Sequence, residues 1–295
     1  MTDMTAFWST HLFALATPDA LLRGLGPAFV QRLRVEGLTP VAARLTTTDS
    51  DMLDEMYADL IAGQWQTWRY RLIDDVFALG PTLALLCRYD GDLDDPHAHI
   101  AARKGHHHPH LAELGTMRKD FGSINSILSV MHASDSPREA RHDATVYRLS
   151  EADVIADDRK AAAYVDYLAA LTKPAVPEQR DFDAVLSDVR ARLLLAVDHH
   201  ITGSARDSLI AEFPTADLLA RPDAGKRLAD LVSGLVDADV HTVLQCEFDP
   251  PARESWRASD LFEILRRHGV DLDRWERIVL ESSLYFPPVR REVTA

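Results

Sequence analysis

Ser126-Ile127-Leu128-Ser129-Val130-Met131-His132-Ala133-Ser134-Asp135-Ser136-Pro137-Arg138-Glu139 decides how the first half of this chain folds. Ser126 to His132 has the length and apolar character of a buried strand, and Ser136-Pro137-Arg138-Glu139 has the pattern of a capping box with proline at the first helical position. His132 therefore falls where a strand gives way to a helix. Such a turn places a side chain beside the unpaired N–H groups of a helix start, which favour phosphate. An imidazole is largely neutral at pH 7, so at this junction it is a nucleophile that needs no strong base.

Working outward, the same alternation continues. His11 to Ala16 is short and apolar, Pro27 to Glu36 places Phe29, Val30 and Leu33 on one helical face, and Gly37 ends that helix. Leu38 to Thr46 is strand-like. Asp49 or Ser50 caps a helix with Leu53, Met56, Tyr57, Leu60 and Ile61 along one stripe. Pro81 to Tyr89 is a continuous apolar run of strand length, and Asp95-Pro96 starts a short helix that ends near Gly105. A long loop runs to about Asp120, and Ala144 to Leu149 reads as a terminal strand. Past Ser150 the pattern becomes helical over Lys160 to Leu171, Asp183 to Val197, Lys226 to Ala238 and Ser259 to His268, with prolines between. The expected organisation is one domain over 1–150 and a mostly helical one over 151–295.

Thirty-two Lys+Arg against 46 Asp+Glu give a formal charge of −14, which repels a phosphate backbone over most of the surface and argues against nucleic acid as a partner. No apolar stretch approaches the length of a membrane span and the first residues lack a secretory pattern, so the expectation is a cytoplasmic protein with no membrane partner. Cys87 and Cys246 are far apart and fit two buried thiols rather than a disulfide framework or a cysteine zinc site.

The blocks Thr17-Pro18-Asp19 with Arg23-Gly24-Leu25, Tyr57-Ala58-Asp59-Leu60, Gly80-Pro81, Gly115-Thr116-Met117-Arg118-Lys119-Asp120-Phe121 and His132-Ala133-Ser134-Asp135-Ser136 occur in an order and at spacings that resemble the nucleoside diphosphate kinase family over residues 12 to 148. The resemblance implies an α+β fold of the ferredoxin-like type, a four-stranded antiparallel sheet covered by helices. It also implies a two-step phosphotransferase working on a nucleoside triphosphate with Mg²⁺ and a small phosphoryl acceptor, and a homo-oligomer. Carried over position by position, His132 becomes the phosphohistidine, Ser134 bonds near it and Asp143 orients its other nitrogen, in place of the family's glutamate and with one methylene less. Tyr57 and Arg118 match the phosphate-region tyrosine and arginine, Trp65 the base-stacking aromatic, His107 a phosphate-contacting threonine and Ser129 the sugar-contacting asparagine. Thr17 stands where the family has a catalytic lysine, and Arg103 lies two residues from the position of a loop arginine, which is Ala101 here. Ala133 replaces a glycine.

Plainer readings stand beside these. Asp143 follows Glu139 by four residues and fits a helix surface, and Trp65 and Trp68 fit core or interface aromatics. The cluster His106-His107-His108-Pro109-His110 fits a solvated loop, a phosphate contact that restores charge, or a transition-metal site joined by His97 and His99. A different functional class also fits: a nucleotide-binding or scaffold protein with impaired catalysis, for which Thr17 is the leading sign.

Overall fold

The computed structural model describes residues 4–62, 67–172, 180–249 and 252–288. Its first unit is built on four strands, β1 His11–Ala16, β2 Leu38–Thr46, β3 Thr82–Tyr89 and β4 Met131–Ala133, in the order β2-β3-β1-β4 with every neighbouring pair antiparallel. This is the ferredoxin-like arrangement, in which β1 and β2 run parallel on either side of β3. The apolar runs in β1 and β3 are long because both faces are covered. Leu12, Ala14, Ala16, Leu83, Leu85, Cys87, Met131 and Ala133 join the core that includes Phe29, Val30 and Leu33 of helix Gly26–Val35. The alternate residues Phe13 and His132 face the other way, toward helix Pro137–Val146 and Tyr147. Cys87 and Cys246 are both free and buried.

Helix Asp158–Leu171 belongs to this unit as well, because Val165, Leu168 and Ala169 enter the same core. Gly26 makes that contact possible: a Cβ there would lie 2.3 Å from the Thr172 hydroxyl oxygen and 3.1 Å from the Ala169 carbonyl. Packing divides the chain into Met1–Gln179 and Arg180–Ala295, later than the change of sequence texture at Ser150.

The second unit is largely helical, with helices Phe182–Ala196, Ser204–Glu212, Ala224–Leu231, Ala238–Gln245, Ala258–Arg267 and Arg274–Tyr285. Val185, Leu193, Leu228, Val232, Val240, Leu244, Val279 and Leu284 fill its core. Buried Glu276 accepts from Arg180 and Arg192 and closes a capping box with Asp273. No helix among the described residues is long and apolar enough to cross a membrane.

Several elements differ from the sequence expectation. The strand expected over Ser126–His132 forms only at Met131–Ala133. Upstream, the Asn125 side chain accepts from the N–H groups of Ile127 and Leu128, and Val130 takes a positive φ of 62°. Backbone bonds that would build a ladder are spent on a tight loop. The expected strand Ala144–Leu149 is instead the end of helix Pro137–Val146 and its exit, with Ala140, Asp143 and Ala144 on one buried face. The helix expected over Leu53–Ile61 is divided at Tyr57 into Ser50–Met56 and Ala58–Ala62. The one expected over Lys226–Ala238 ends at Leu231, followed by Gly234 with φ 74°.

Candidate active site

β4 is short, and what surrounds it is highly constrained. Val130 is β-branched and its left-handed conformation is strained; the Met131 N–H closes a three-residue turn onto the Ser129 carbonyl at 2.8 Å. Asp19 holds it there. One carboxylate oxygen accepts from the Val130 N–H at 3.0 Å and the other from the Thr17 hydroxyl at 2.6 Å, while the Thr17 N–H donates to the Val130 carbonyl at 3.3 Å. Burial pushes the Asp19 carboxyl above its ordinary range, against the pull of these bonds. The Thr17 hydroxyl is thus committed to Asp19, and Ser129 contributes its carbonyl to the turn.

From that turn the chain delivers His132 to the face opposite the Met131–Ala133 core. Asp143 reaches it directly: His132 Nε2 lies 2.8 Å from Asp143 Oδ2, and the buried Ser134 hydroxyl donates to the same oxygen at 2.6 Å. The missing methylene of an aspartate is therefore absorbed without a bridging water. Because a carboxylate only accepts, the imidazole proton resides on Nε2 and Nδ1 presents its lone pair. Nδ1 carries no hydrogen bond among the described residues. The Tyr57 ring stands edge-on to His132 at 6.5 Å between centroids, and Phe13 lies 6.4 Å away. Burial first, then the nearby Asp143 charge, raises the Tyr57 phenol to about 12, so it is a neutral donor at physiological pH.

The helix that follows is capped from within. Ser136 Oγ accepts from the Glu139 N–H at 3.2 Å, the Glu139 carboxylate accepts from the Asp135 N–H at 2.9 Å, and Pro137 has no N–H to offer. The helix start accordingly presents fewer free N–H groups than its sequence suggests, and two cationic side chains lie along the strand before it. Arg118 is buried, with Nη1 donating to the Gly105 carbonyl at 2.9 Å and Nη2 to the Met131 carbonyl at 3.2 Å; its Nε has no partner among the described residues. Burial lowers its pKa. Lys104, at the end of helix Pro96–Lys104, is also buried and donates to the Ala133 carbonyl at 2.8 Å and to Asp135. Sequence reading did not single it out. The available signal was periodicity, since Pro96, His97, Ile100 and Lys104 share the helix's buried face.

Of the other expected contacts, Arg103 forks onto Glu36 through Nε at 2.8 Å and Nη2 at 3.0 Å, and Arg32 holds the same carboxylate. The structure does not bring Arg103 to His132. Trp65 lies outside the described residues.

The histidine loop packs as a stack, with His106 and His107 centroids 4.4 Å apart and His107 and His108 4.3 Å apart. His108 Nδ1 meets the Ser126 hydroxyl at 2.6 Å and Lys119 Nζ donates to the Pro109 carbonyl at 3.0 Å, which ties the loop down on two sides. Its ring nitrogens do not converge as metal ligands; among the described residues only Asp237, Asp239 and His268, in the second unit, bring three such atoms together. Burial, then the neighbouring His108 and His106, then Arg118 and Lys104 push His107 down to about 4. In the ligand-free protein it is neutral at pH 7 and adds no charge. A histidine whose folded pKa lies below its unfolded value stabilises fully above the unfolded value, near 6.5, and that contribution is lost as pH falls through the folded value. Thermal stability of wild type is therefore expected to fall between about pH 6.5 and 4 more steeply than that of His107→Asn. Parallel melting curves over that interval would count against the stack.

The chain is similar to known proteins over its first half. The family model described as Nucleoside diphosphate kinase matches residues 10–151. A nucleoside diphosphate kinase of Nocardioides sp. is 32% identical over 139 residues, covering 47% of this chain and 96% of that protein. One from Symbiobacterium thermophilum is 31% identical over 137 residues, covering 46% and 84%. Among solved structures, a halophilic nucleoside diphosphate kinase from Halobacterium salinarum in complex with CDP is 23% identical with a TM-score of 0.43, covering 53% of this chain and 98% of that one.

Proposed function

As the chain belongs to the nucleoside diphosphate kinase family, we propose that its first unit is a phosphotransferase that carries the γ-phosphoryl group of a nucleoside triphosphate on His132 and passes it to a nucleoside diphosphate or another small acceptor. The observation that carries this reading is the His132 Nε2–Asp143 bond of 2.8 Å, which leaves Nδ1 as the nucleophilic nitrogen.

The first half-reaction follows from that tautomer. The Nδ1 lone pair forms a bond to Pγ while the bond from Pγ to the bridging oxygen breaks, and its electron pair leaves with the nucleoside diphosphate. Nε2–H keeps its proton, and Asp143 stabilises the positive charge that the ring acquires. The second half-reaction is the reverse, with the acceptor oxygen as nucleophile. Little covalent work falls to the protein, so rate depends on alignment and charge compensation. Arg118 provides buried charge and Tyr57 a neutral donor. Mg²⁺ bound to the nucleotide's own phosphate oxygens would neutralise the departing charge. The residues fit a nucleotide-borne ion rather than a protein cage, since Asp143 is committed to His132 and Ser134, and Asp135 to Lys104.

The test is incubation of the whole chain with γ-³²P-labelled ATP and Mg²⁺, followed by a chase with nucleoside diphosphates. Acid-labile, base-stable label that a diphosphate removes supports the proposal, and label that no diphosphate removes points to another acceptor. Thr17 motivates the second reading, a nucleotide-binding module: its hydroxyl is occupied by Asp19 and the position carries no cation. Nucleotide binding without label would establish that reading instead.

A further inference from the structure

We propose that Lys104 is a positioning residue for phosphoryl transfer at His132, holding the outer edge of β4 and its exit through the Ala133 carbonyl and Asp135 and setting a positive charge there. The inference rests on the phosphohistidine reading and adds to it a residue that neither the motif nor the comparisons point to.

β4 lies at the edge of the sheet, and its backbone alternates between the β1 side and the outside. Val130 and Ser134 use the inner side: the Val130 carbonyl accepts from the Thr17 N–H, and the Ser134 N–H donates to the Phe13 carbonyl at 3.2 Å. The carbonyls of Met131 and Ala133 therefore point outward. Each is met by a buried cation, Met131 by Arg118 and Ala133 by Lys104, so the two bracket His132 along the strand. A lysine is almost never buried this deeply without a partner, and water can satisfy an edge carbonyl without one. Removing an ammonium from water to fill that place is costly unless its charge is used.

The charge balance of the site gives the use. A phosphoryl group brings about two negative charges to a ring already backed by Asp143. Thr17 is uncharged, Arg103 is spent on Glu36 and His107 is neutral at pH 7. Arg118 and Lys104 are the cations that hold β4 itself: Lys104 shares its ammonium between the Ala133 carbonyl and its carboxylate partner Asp135, and Arg118 also donates to the carbonyl of Gly105, the residue after Lys104. The ammonium has three donors, and the Ala133 carbonyl and Asp135 account for two. By holding Asp135 at the same time, Lys104 ties the exit of β4 to the strand that carries His132.

Lys104→Met keeps the side chain's length and removes its charge; Lys104→Ala leaves space that propylammonium can enter. Three quantities are measured on the full-length protein: the single-turnover rate of His132 labelling by γ-³²P ATP, the dissociation constant for Mg²⁺–ATP, and the melting temperature. The expected result for Lys104→Met is a fall of about 10²-fold in the labelling rate with nucleotide affinity within about threefold of wild type. Propylammonium, but not propanol, is expected to restore about tenfold of the rate lost by Lys104→Ala, a recovery that simple cavity filling does not give. Labelling by Lys104→Met within about threefold of wild type overturns the inference while leaving the phosphohistidine reading intact, and so does equal rescue by the alcohol. Absence of label on wild type overturns both.

Discussion

His132→Ala is expected to lose phosphoryl labelling entirely, a fall of at least about 10⁴-fold, while binding Mg²⁺–ATP at close to wild-type affinity. The two halves of this expectation have separate physical grounds. Labelling requires an unprotonated ring nitrogen held in line with Pγ, and no neighbouring side chain substitutes for it: the Tyr57 phenol is raised to about 12 and is not ionised at neutral pH, and Ser134 is buried with its hydroxyl donating to Asp143. Binding depends instead on charge and shape around the phosphates, and those groups stay in place. Label on wild type but not on the variant, with equal calorimetric affinity, is the anticipated pattern. Acid-labile label persisting on His132→Ala would relocate the nucleophile, with the stacked histidines at 106–108 the first positions to map.

The second large effect concerns the carboxylate behind the ring. Asp143→Ala is expected to slow labelling by about 10²–10³-fold without abolishing it, because Nδ1 survives but its tautomer and orientation are no longer fixed. One Asp143 oxygen takes both the His132 Nε2–H and the Ser134 O–H, so its loss also strands a buried hydroxyl at a cost of about 1–3 kcal/mol in stability. Nitrogen chemical shifts of the imidazole separate the two consequences. Wild type should show the Nε2–H tautomer and Asp143→Ala a mixture, and identical shifts in both would show that Asp143 does not set the tautomer. Asp143→Glu is the informative control, since the longer side chain must bend to recover a contact that the aspartate makes at 2.8 Å.

The parts of this molecule that the sequence reveals are those encoded by neighbours. β2 spans the expected Leu38–Thr46, and Asp95 and Ser136 cap their helices through the expected backbone N–H groups, since capping and apolar runs are local properties. Only the family resemblance groups His132, Ser134, Asp143, Tyr57 and Arg118, which no local pattern connects; they lie around β4. What the sequence hid depends on residues far apart in the chain. Asp19 reaches Val130 across 111 positions and fixes the strained turn that shortens β4, and Lys104 reaches Ala133 across 29. No periodicity announces that a lysine on a helix's apolar stripe will meet a carbonyl at a sheet edge, nor that Glu36 will claim Arg103. The final helix, Arg274–Tyr285, is not among the helices expected from the sequence, although Asp273 and Glu276 form a capping box at its start.

The covered rim of the sheet has one more consequence. Sheets with bare outer strands invite a neighbouring chain to continue the ladder, a common route to unwanted polymerisation. Here a newcomer at β4 would have to displace the guanidinium of Arg118 and the ammonium of Lys104 from the carbonyls they occupy, abandoning two charges away from water. At the opposite rim the Ile155 N–H already donates to the Val41 carbonyl at 2.9 Å, and Pro40 offers no N–H for pairing. The same side chains that hold the carbonyls on either side of His132 thus shield this strand, and copies of the protein that associate are expected to meet through surfaces other than these two rims.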